Sequence, residues 1–162
     1  MEYAKRKPNR LKQYDYSAPG AYFVTICTKD KEKLLCSIVG GGAHDAPQII
    51  LSPEGKIVEK YIVSTNNIDG LSVEKYVIMP NHIHMIIRIE GDGSSRAPTP
   101  TNAKIPHAIS TLKRFCIREI GSEVFQRSYH DHIIRNMEDY LKIWNYIETN
   151  PIKWKEDCFF FE

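Results

Sequence analysis

Paired cysteines, long apolar runs and a surplus of charge are all missing from this sequence, and each absence removes a class of protein. The four cysteines, Cys27, Cys36, Cys116 and Cys158, are far apart and form no C-x-x-C pair. In a chain of 162 residues this predicts reduced, mostly buried thiols and a cytoplasmic location, not a disulfide or zinc framework. Uninterrupted apolar stretches are only a few residues long, so no segment is suited to cross a bilayer as a helix. No apolar stretch follows the basic N-terminus, which therefore does not read as a secretory signal. The formal net charge of +2 is uninformative by itself.

What is present is an ordinary globular composition, 42% apolar and 26% charged, which predicts one domain over residues 1–162 with a basic tail over 1–14. The charge is unevenly distributed. Residues 1–12 carry Lys5, Arg6, Lys7, Arg10 and Lys12 against Glu2 alone, and residues 104–118 carry Lys104, Lys113, Arg114 and Arg118 with no acid. Basic tails and basic helix faces attract polyanions by counterion release. A solvated tail without a partner would have the same composition.

Strand and helix patterns alternate along the chain. Ala21–Thr28 is β-branched and aromatic and reads as a strand, with Leu34–Val39 as its expected partner. Ser52-Pro53-Glu54 is an N-cap, an N1 proline and an acidic first turn, predicting a helix over 53–65. Val73–Met79 and Ile83–Ile89 are expected strands separated by Pro80-Asn81. Pro106 is expected to open a second helix with an apolar stripe of Ile109, Leu112, Phe115, Cys116 and Ile120. Asn136 is expected to cap a third helix whose buried stripe is Tyr140, Ile143, Trp144 and Ile147. Segments 40–48 and 91–103, rich in Gly, Pro and small polar residues, read as surface loops. The order predicts an α+β fold, an antiparallel β-sheet with packed α-helices.

The sharpest local pattern is Met79-Pro80-Asn81-His82-Ile83-His84. Strand alternation puts His82 and His84 on one face and Ile83, Met85 and Ile87 on the other. Two imidazoles at this spacing can converge on one divalent cation, although a lone H-x-H is as compatible with buried polar decoration. A second H-x-H, His130-Asp131-His132, has polar flanks and reads as structural or DNA-contacting before metal-binding. In the third helix Tyr146 and Asn150 lie one turn apart at the border of the apolar stripe. A tyrosine there is also compatible with plain packing. Pro151 disfavours helical geometry at Asn150, which should free its amide to reach outward.

Together these motifs resemble the HUH-type single-tyrosine transposases, above all the REP-associated tyrosine transposases. The resemblance rests on the H-x-H strand, the basic middle helix, Phe125-Gln126-Arg127, the step Tyr129-His130-Asp131-His132 and the final Tyr146-x-x-x-Asn150-Pro151. It implies a ferredoxin-like HUH nuclease architecture. It further implies His82 and His84 as metal ligands, Asn150 completing the site, and Tyr146 as the nucleophile. The DNA contacts expected with it are Arg6, Lys7, Arg10, Lys113, Arg114, Arg118, Arg127 and His132.

The chemistry implied is coherent with these residue types. A tyrosine hydroxyl, with an ordinary pKa of about 10, needs a phosphate held in line and polarised. One Mg²⁺ or Mn²⁺ on two imidazoles and an oxygen leaves positions open for the phosphate. Attack gives a 5′-phosphotyrosine and a free 3′-hydroxyl, and a second 3′-hydroxyl can then rejoin the strand. Single-stranded or hairpin DNA is the expected partner, with either a monomer or a homodimer as the working form. The competing expectations are a DNA-binding relative without catalysis and a metal-dependent nuclease that uses water in place of Tyr146.

Overall fold

The computed structural model describes residues 18–41, 46–91 and 103–160. Within them β1 (Gly20–Cys27), β4 (Leu71–Met79), β5 (His82–Ile89) and β6 (His130–Ile134) form a four-stranded sheet in the order β4-β5-β1-β6. Every pairing in it is antiparallel. A separate two-stranded sheet joins β2 (Cys36–Val39) to β3 (Gln48–Leu51). Three helices, α1 (Pro53–Ser64), α2 (Lys104–Ile120) and α3 (Met137–Thr149), complete the α+β architecture.

Alternation along β1 and β5 builds the two faces of the large sheet. Tyr22, Val24 and Ile26 of β1 and Ile83, Met85 and Ile87 of β5 point to one face. There they pack with Val58 and Ile62 of α1 and with Ile105, Ile109, Leu112 and Cys116 of α2. Each such side chain removed from water contributes roughly 1.5–3 kcal/mol, so this face holds most of the apolar core. The opposite face carries Ala21, Val77, Met79 and Ile86 against Ile147, Tyr140, Ile143 and Trp144 of α3. Thr25, His82 and His84 share that second face by register.

α1 and α3 begin where the sequence predicts caps. Ser52 Oγ accepts from the Gly55 amide at 2.9 Å, and Asn136 Oδ1 accepts from the Asp139 amide at 2.8 Å. Gly55 is required by space: a Cβ there would lie 1.9 Å from the Leu35 carbonyl oxygen. Gly121 ends α2 in the left-handed region at φ 85°, which a glycine adopts without steric penalty.

Several expectations need correction. The segment expected at Leu34–Val39 is a strand only from Cys36, and it pairs with β3, not β1. The strand at Gln48–Leu51 has no counterpart in the sequence reading, and Gln48 leaves the expected loop 40–48. α2 starts two residues before Pro106, which sits in the first turn where its missing N–H has no intrahelical acceptor to serve. Phe115 is 37% exposed, stacked on Tyr61 with ring centroids 5.5 Å apart. Cys27, Cys36 and Cys116 are buried free thiols, whereas Cys158 is exposed. Most of the loop expected at 91–103 lies outside the described residues, as do Arg6, Lys7 and Arg10.

Candidate metal and tyrosine centre

β5 delivers both histidines to the α3 face, and the segment after α3 covers them. His82 and His84 are 0% and 1% exposed, so the face they share is interior. The Phe159 ring lies 4.6 Å and the Trp154 ring 5.8 Å from His82, centroid to centroid. Both rings come from residues beyond Pro151, a stretch the sequence reading assigns no part in the site.

The neighbours of His82 fix its protonation. Asn81 Nδ2 donates to the Phe159 carbonyl at 2.8 Å, which orients the amide and turns Oδ1 toward the imidazole. His82 Nδ1, 2.9 Å from that oxygen, must then carry the hydrogen. Nε2 is left as a bare lone pair, buried and without a hydrogen-bond partner among the described residues. Burial lowers the His82 pKa to about 4, against an opposing pull from Asp157. Burial, followed by the neighbouring His82, also holds His84 well below its ordinary value. Both rings are therefore neutral near pH 7, the form in which imidazole binds a metal.

A second orphaned acceptor lies on the other side of the site. Asn150 caps α3 and is 2% exposed, so its amide turns inward, contrary to the outward reach expected. Its Nδ2 donates to Asp157 Oδ2 at 2.7 Å, while its Oδ1 has no partner among the described residues. A buried, unpaired acceptor is costly unless a cation or donor answers it. Ligand atoms of His82, His84 and Asp157 lie within 4.8 Å of one another. Two neutral imidazoles with a carboxylate, next to unanswered lone pairs, form a donor set that fits a divalent cation.

Asp157 is the candidate site residue that the sequence reading misses. It comes from the segment after α3, and nothing in its spacing to the H-x-H motif marks it. Asn81 and Thr25 are missed as supports: Thr25 Oγ1 lies 2.8 Å from His84 Nδ1 and fixes the ring from the neighbouring strand.

Tyr146 completes the cluster. Its hydroxyl is 3.2 Å from His84 Nε2 and 3.3 Å from Asp157 Oδ2. The residue is 39% exposed and lines a cavity of about 460 Å³ with Lys142, Asn145, Asn150, Lys153 and Asp157. Burial and then the Asp157 charge raise its pKa well above the ordinary value. The hydroxyl is thus a neutral phenol unless positive charge is brought beside it. The other tyrosines are placed differently. Tyr140 donates to Glu74 Oε2 at 2.9 Å, and Tyr129 packs against the core on the α1/α2 face.

The expected DNA contacts divide into two groups. Lys113 is half-buried, and its ammonium donates to the carbonyls of Gln126 at 2.8 Å and Ser128 at 2.9 Å. It works as a strut between α2 and the approach to β6. Burial lowers its pKa to about 8. Arg114, Arg118 and Arg127 are exposed, and Arg114 lies over the Phe115 ring at 5.3 Å. His132 Nε2 meets Asp139 Oδ2 at 2.8 Å, joining β6 to the first turn of α3.

No family model matches the chain. A protein of Haemophilus influenzae (strain ATCC 51907 / DSM 11121 / KW20 / Rd), itself described only as uncharacterized, is 34% identical over 173 aligned positions. These cover 94% of this chain and 91% of the relative. Among solved structures, a REP-associated tyrosine transposase bound to a REP hairpin superposes with a TM-score of 0.62 at 19% identity. It covers 90% of this chain and 73% of that one. A Deinococcus radiodurans R1 protein named provisionally as a transposase matches over 92% of this chain and 97% of that one at 14% identity, with a TM-score of 0.48. The chain belongs to one family with the Haemophilus influenzae protein, and its fold is that of the REP-associated tyrosine transposase.

Proposed function

We propose that this chain is a metal-dependent DNA strand transferase that nicks and joins single-stranded DNA through a 5′-phosphotyrosine at Tyr146. The observation that carries the proposal is the meeting of the Tyr146 hydroxyl, 3.2 Å from His84 Nε2, with the His82, His84 and Asp157 donor set. A tyrosine used only for packing has no need of two buried neutral histidines and a carboxylate around its hydroxyl. His82 and His84 would hold Mg²⁺ or Mn²⁺, with Asp157 or the Asn150 amide oxygen as the further oxygen ligand. When bound, the cation supplies positive charge at the phosphate oxygens.

The chain's own residues do the rest. α3 holds Tyr146 and Asn150 one turn apart on a rigid element. The Tyr146 Oη–P bond forms as the bond from phosphorus to the departing 3′-oxygen breaks. The phenol proton passes to the Asp157 carboxylate, within hydrogen-bond distance, and the 3′-oxygen leaves protonated from water. Joining runs the same sequence backward from a second 3′-hydroxyl. The fold shared with a protein bound to a REP hairpin supports hairpin or palindromic DNA as substrate, and the exposed Arg114, Arg118 and Arg127 favour a polyanion. The same reading carries a cytoplasmic location, with light scattering to tell a monomer from a homodimer.

The test is to incubate the protein with hairpin DNA bearing a single-stranded flank and Mn²⁺, then search for an adduct that survives denaturation. Wild type should form it, and Tyr146→Phe should form none while still binding DNA. Cleavage without an adduct would indicate water as the nucleophile. DNA binding without cleavage would indicate a non-catalytic relative. An adduct mapped to Tyr129 would reject Tyr146.

A further inference from the structure

Between α2 and residues 127–129 runs a groove of about 710 Å³, on a different side of the sheet from the histidines. Pro106, Ile109, Ile117 and Tyr129 give it an apolar wall, while His107, Lys113, Arg114 and Arg127 give it cations. No carboxylate is among its lining residues within the described part of the chain. The Lys113 strut fixes the 126–128 backbone, so one rim of the groove is set by a hydrogen-bonded frame.

The groove and the metal face meet at β6, the edge strand of the sheet. Alternation separates two successive residues there. Tyr129 packs on the α1/α2 side and lines the groove. His130, paired with Thr25, is exposed on the face that carries His84, because Thr25 is also the partner of His84. His84, Thr25 and His130 form one row across three strands, so the edge lies about 10 Å from the His84 backbone at roughly 4.8 Å per strand.

We propose that this groove is a second seat for the substrate strand, which crosses the β6 edge between Tyr129 and His130 to reach the metal face. The inference rests on the strand-transferase reading and specifies its substrate further: the segment crossing the edge must be unpaired, since only a single strand bends around one β-strand. Arg114 and Arg127 hold backbone phosphates, the apolar wall takes sugars and bases, and His130 stands beside the crossing. The Lys113, Arg114 and Arg127 cations, with no carboxylate among the described lining residues, favour the phosphodiester chain over neutral ligands.

The test uses the full chain, a hairpin oligonucleotide with an unpaired flank, and anisotropy over a salt series. In Arg114→Ala/Arg127→Ala, both positions exposed, affinity should fall at least tenfold. The log–log salt slope should shrink by about 1.4, at roughly 0.7 per single-strand phosphate. Lys56→Ala, an exposed charge on α1, should change neither. A photoreactive residue at Ser110, on the groove lining, should crosslink to the DNA flank. Wild-type affinity and slope in the double variant, or equal losses in Lys56→Ala, would overturn the groove and leave the tyrosine chemistry standing. An acidic peptide competing for the Ser110 crosslink while DNA fails to form it would assign the groove to a protein partner. Wild type that binds no oligonucleotide would overturn the parent reading and the groove together.

Discussion

The two faces of the large sheet are cut from the same strands and yet are built on different principles. On the α1/α2 face, β1 and β5 present Tyr22, Val24, Ile26, Ile83, Met85 and Ile87, closed by aliphatic helix stripes. On the α3 face the intervening residues include Thr25, His82 and His84, equally buried but polar. The first face is satisfied almost wholly by packing, with the Tyr22 hydroxyl donating to the Ala18 carbonyl at 2.7 Å. The second has acceptors at His82 Nε2 and Asn150 Oδ1 that nothing among the described residues answers. A sheet of period two thus lets one pair of strands build a packed core on one side and a candidate metal site on the other, one residue apart in sequence.

The largest expected effect tests the packed face. Ile83→Ala removes a side chain 0% exposed in the main core and should lower unfolding free energy by about 2–5 kcal/mol, measured by urea denaturation. Its immediate neighbours His82 and His84 should keep their response to metal in whatever fraction remains folded. Loss of that response in Ile83→Ala would mean that the two faces are coupled and would break the comparison.

The next effect belongs to the polar face. Mn²⁺ at a hundred times its dissociation constant should raise the stability of wild type by about 2.7 kcal/mol, seen as a shift of the thermal midpoint. His82→Leu should abolish that increment. Asp157→Asn and Asn150→Ala sharpen the site further. If the carboxylate is the oxygen ligand, Asp157→Asn should weaken Mn²⁺ binding by calorimetry on the order of 10–100-fold, the more so because the charge is lost. Asn150→Ala should weaken it less. The reverse order would return the role to Asn150, as the resemblance to the transposases implies.

Much of this was legible in the sequence because local rules and tertiary outcome agree. The strands expected at 73–79 and 83–89, found at 71–79 and 82–89, the alternation about His82 and His84, and the caps Ser52 and Asn136 follow from period, branching and capping chemistry. β3 was not legible: Gln48–Leu51 is four residues long, too short for a period to register, and its neighbour is the start of a strongly marked helix. The pairing of β2 with β3 is a tertiary choice that no propensity encodes. Asp157 was invisible for a similar reason. It reaches the histidines only because the chain turns back after α3 and lays Trp154 and Phe159 over them. Asn150 was legible in position and misjudged in direction. Asn150 keeps right-handed helical angles (φ −56°, ψ −43°) despite Pro151, contrary to expectation, and the half-buried Asp157 carboxylate draws its amide inward.

The smallest effect compares the two caps, one on each side of the sheet. Asn136→Ala removes one side-chain acceptor at the start of α3 and should cost about 1 kcal/mol. Its loss is moderated because Asp139, in the same turn, is also held by His132 of β6 at 2.8 Å. Ser52→Ala should cost more, toward roughly 2 kcal/mol at the upper end for caps. Its hydroxyl caps α1 through Gly55 and also donates between the carbonyls of Leu34 at 2.6 Å and Leu35 at 2.9 Å. The Leu35 carbonyl sits where Gly55 approaches too closely for any side chain, so water has little room to replace the lost hydroxyl. Urea denaturation of the two variants in one buffer measures the difference directly. A larger loss in Asn136→Ala would show that the α3 face, and not the α1/α2 face, leans more heavily on its local hydrogen bonds.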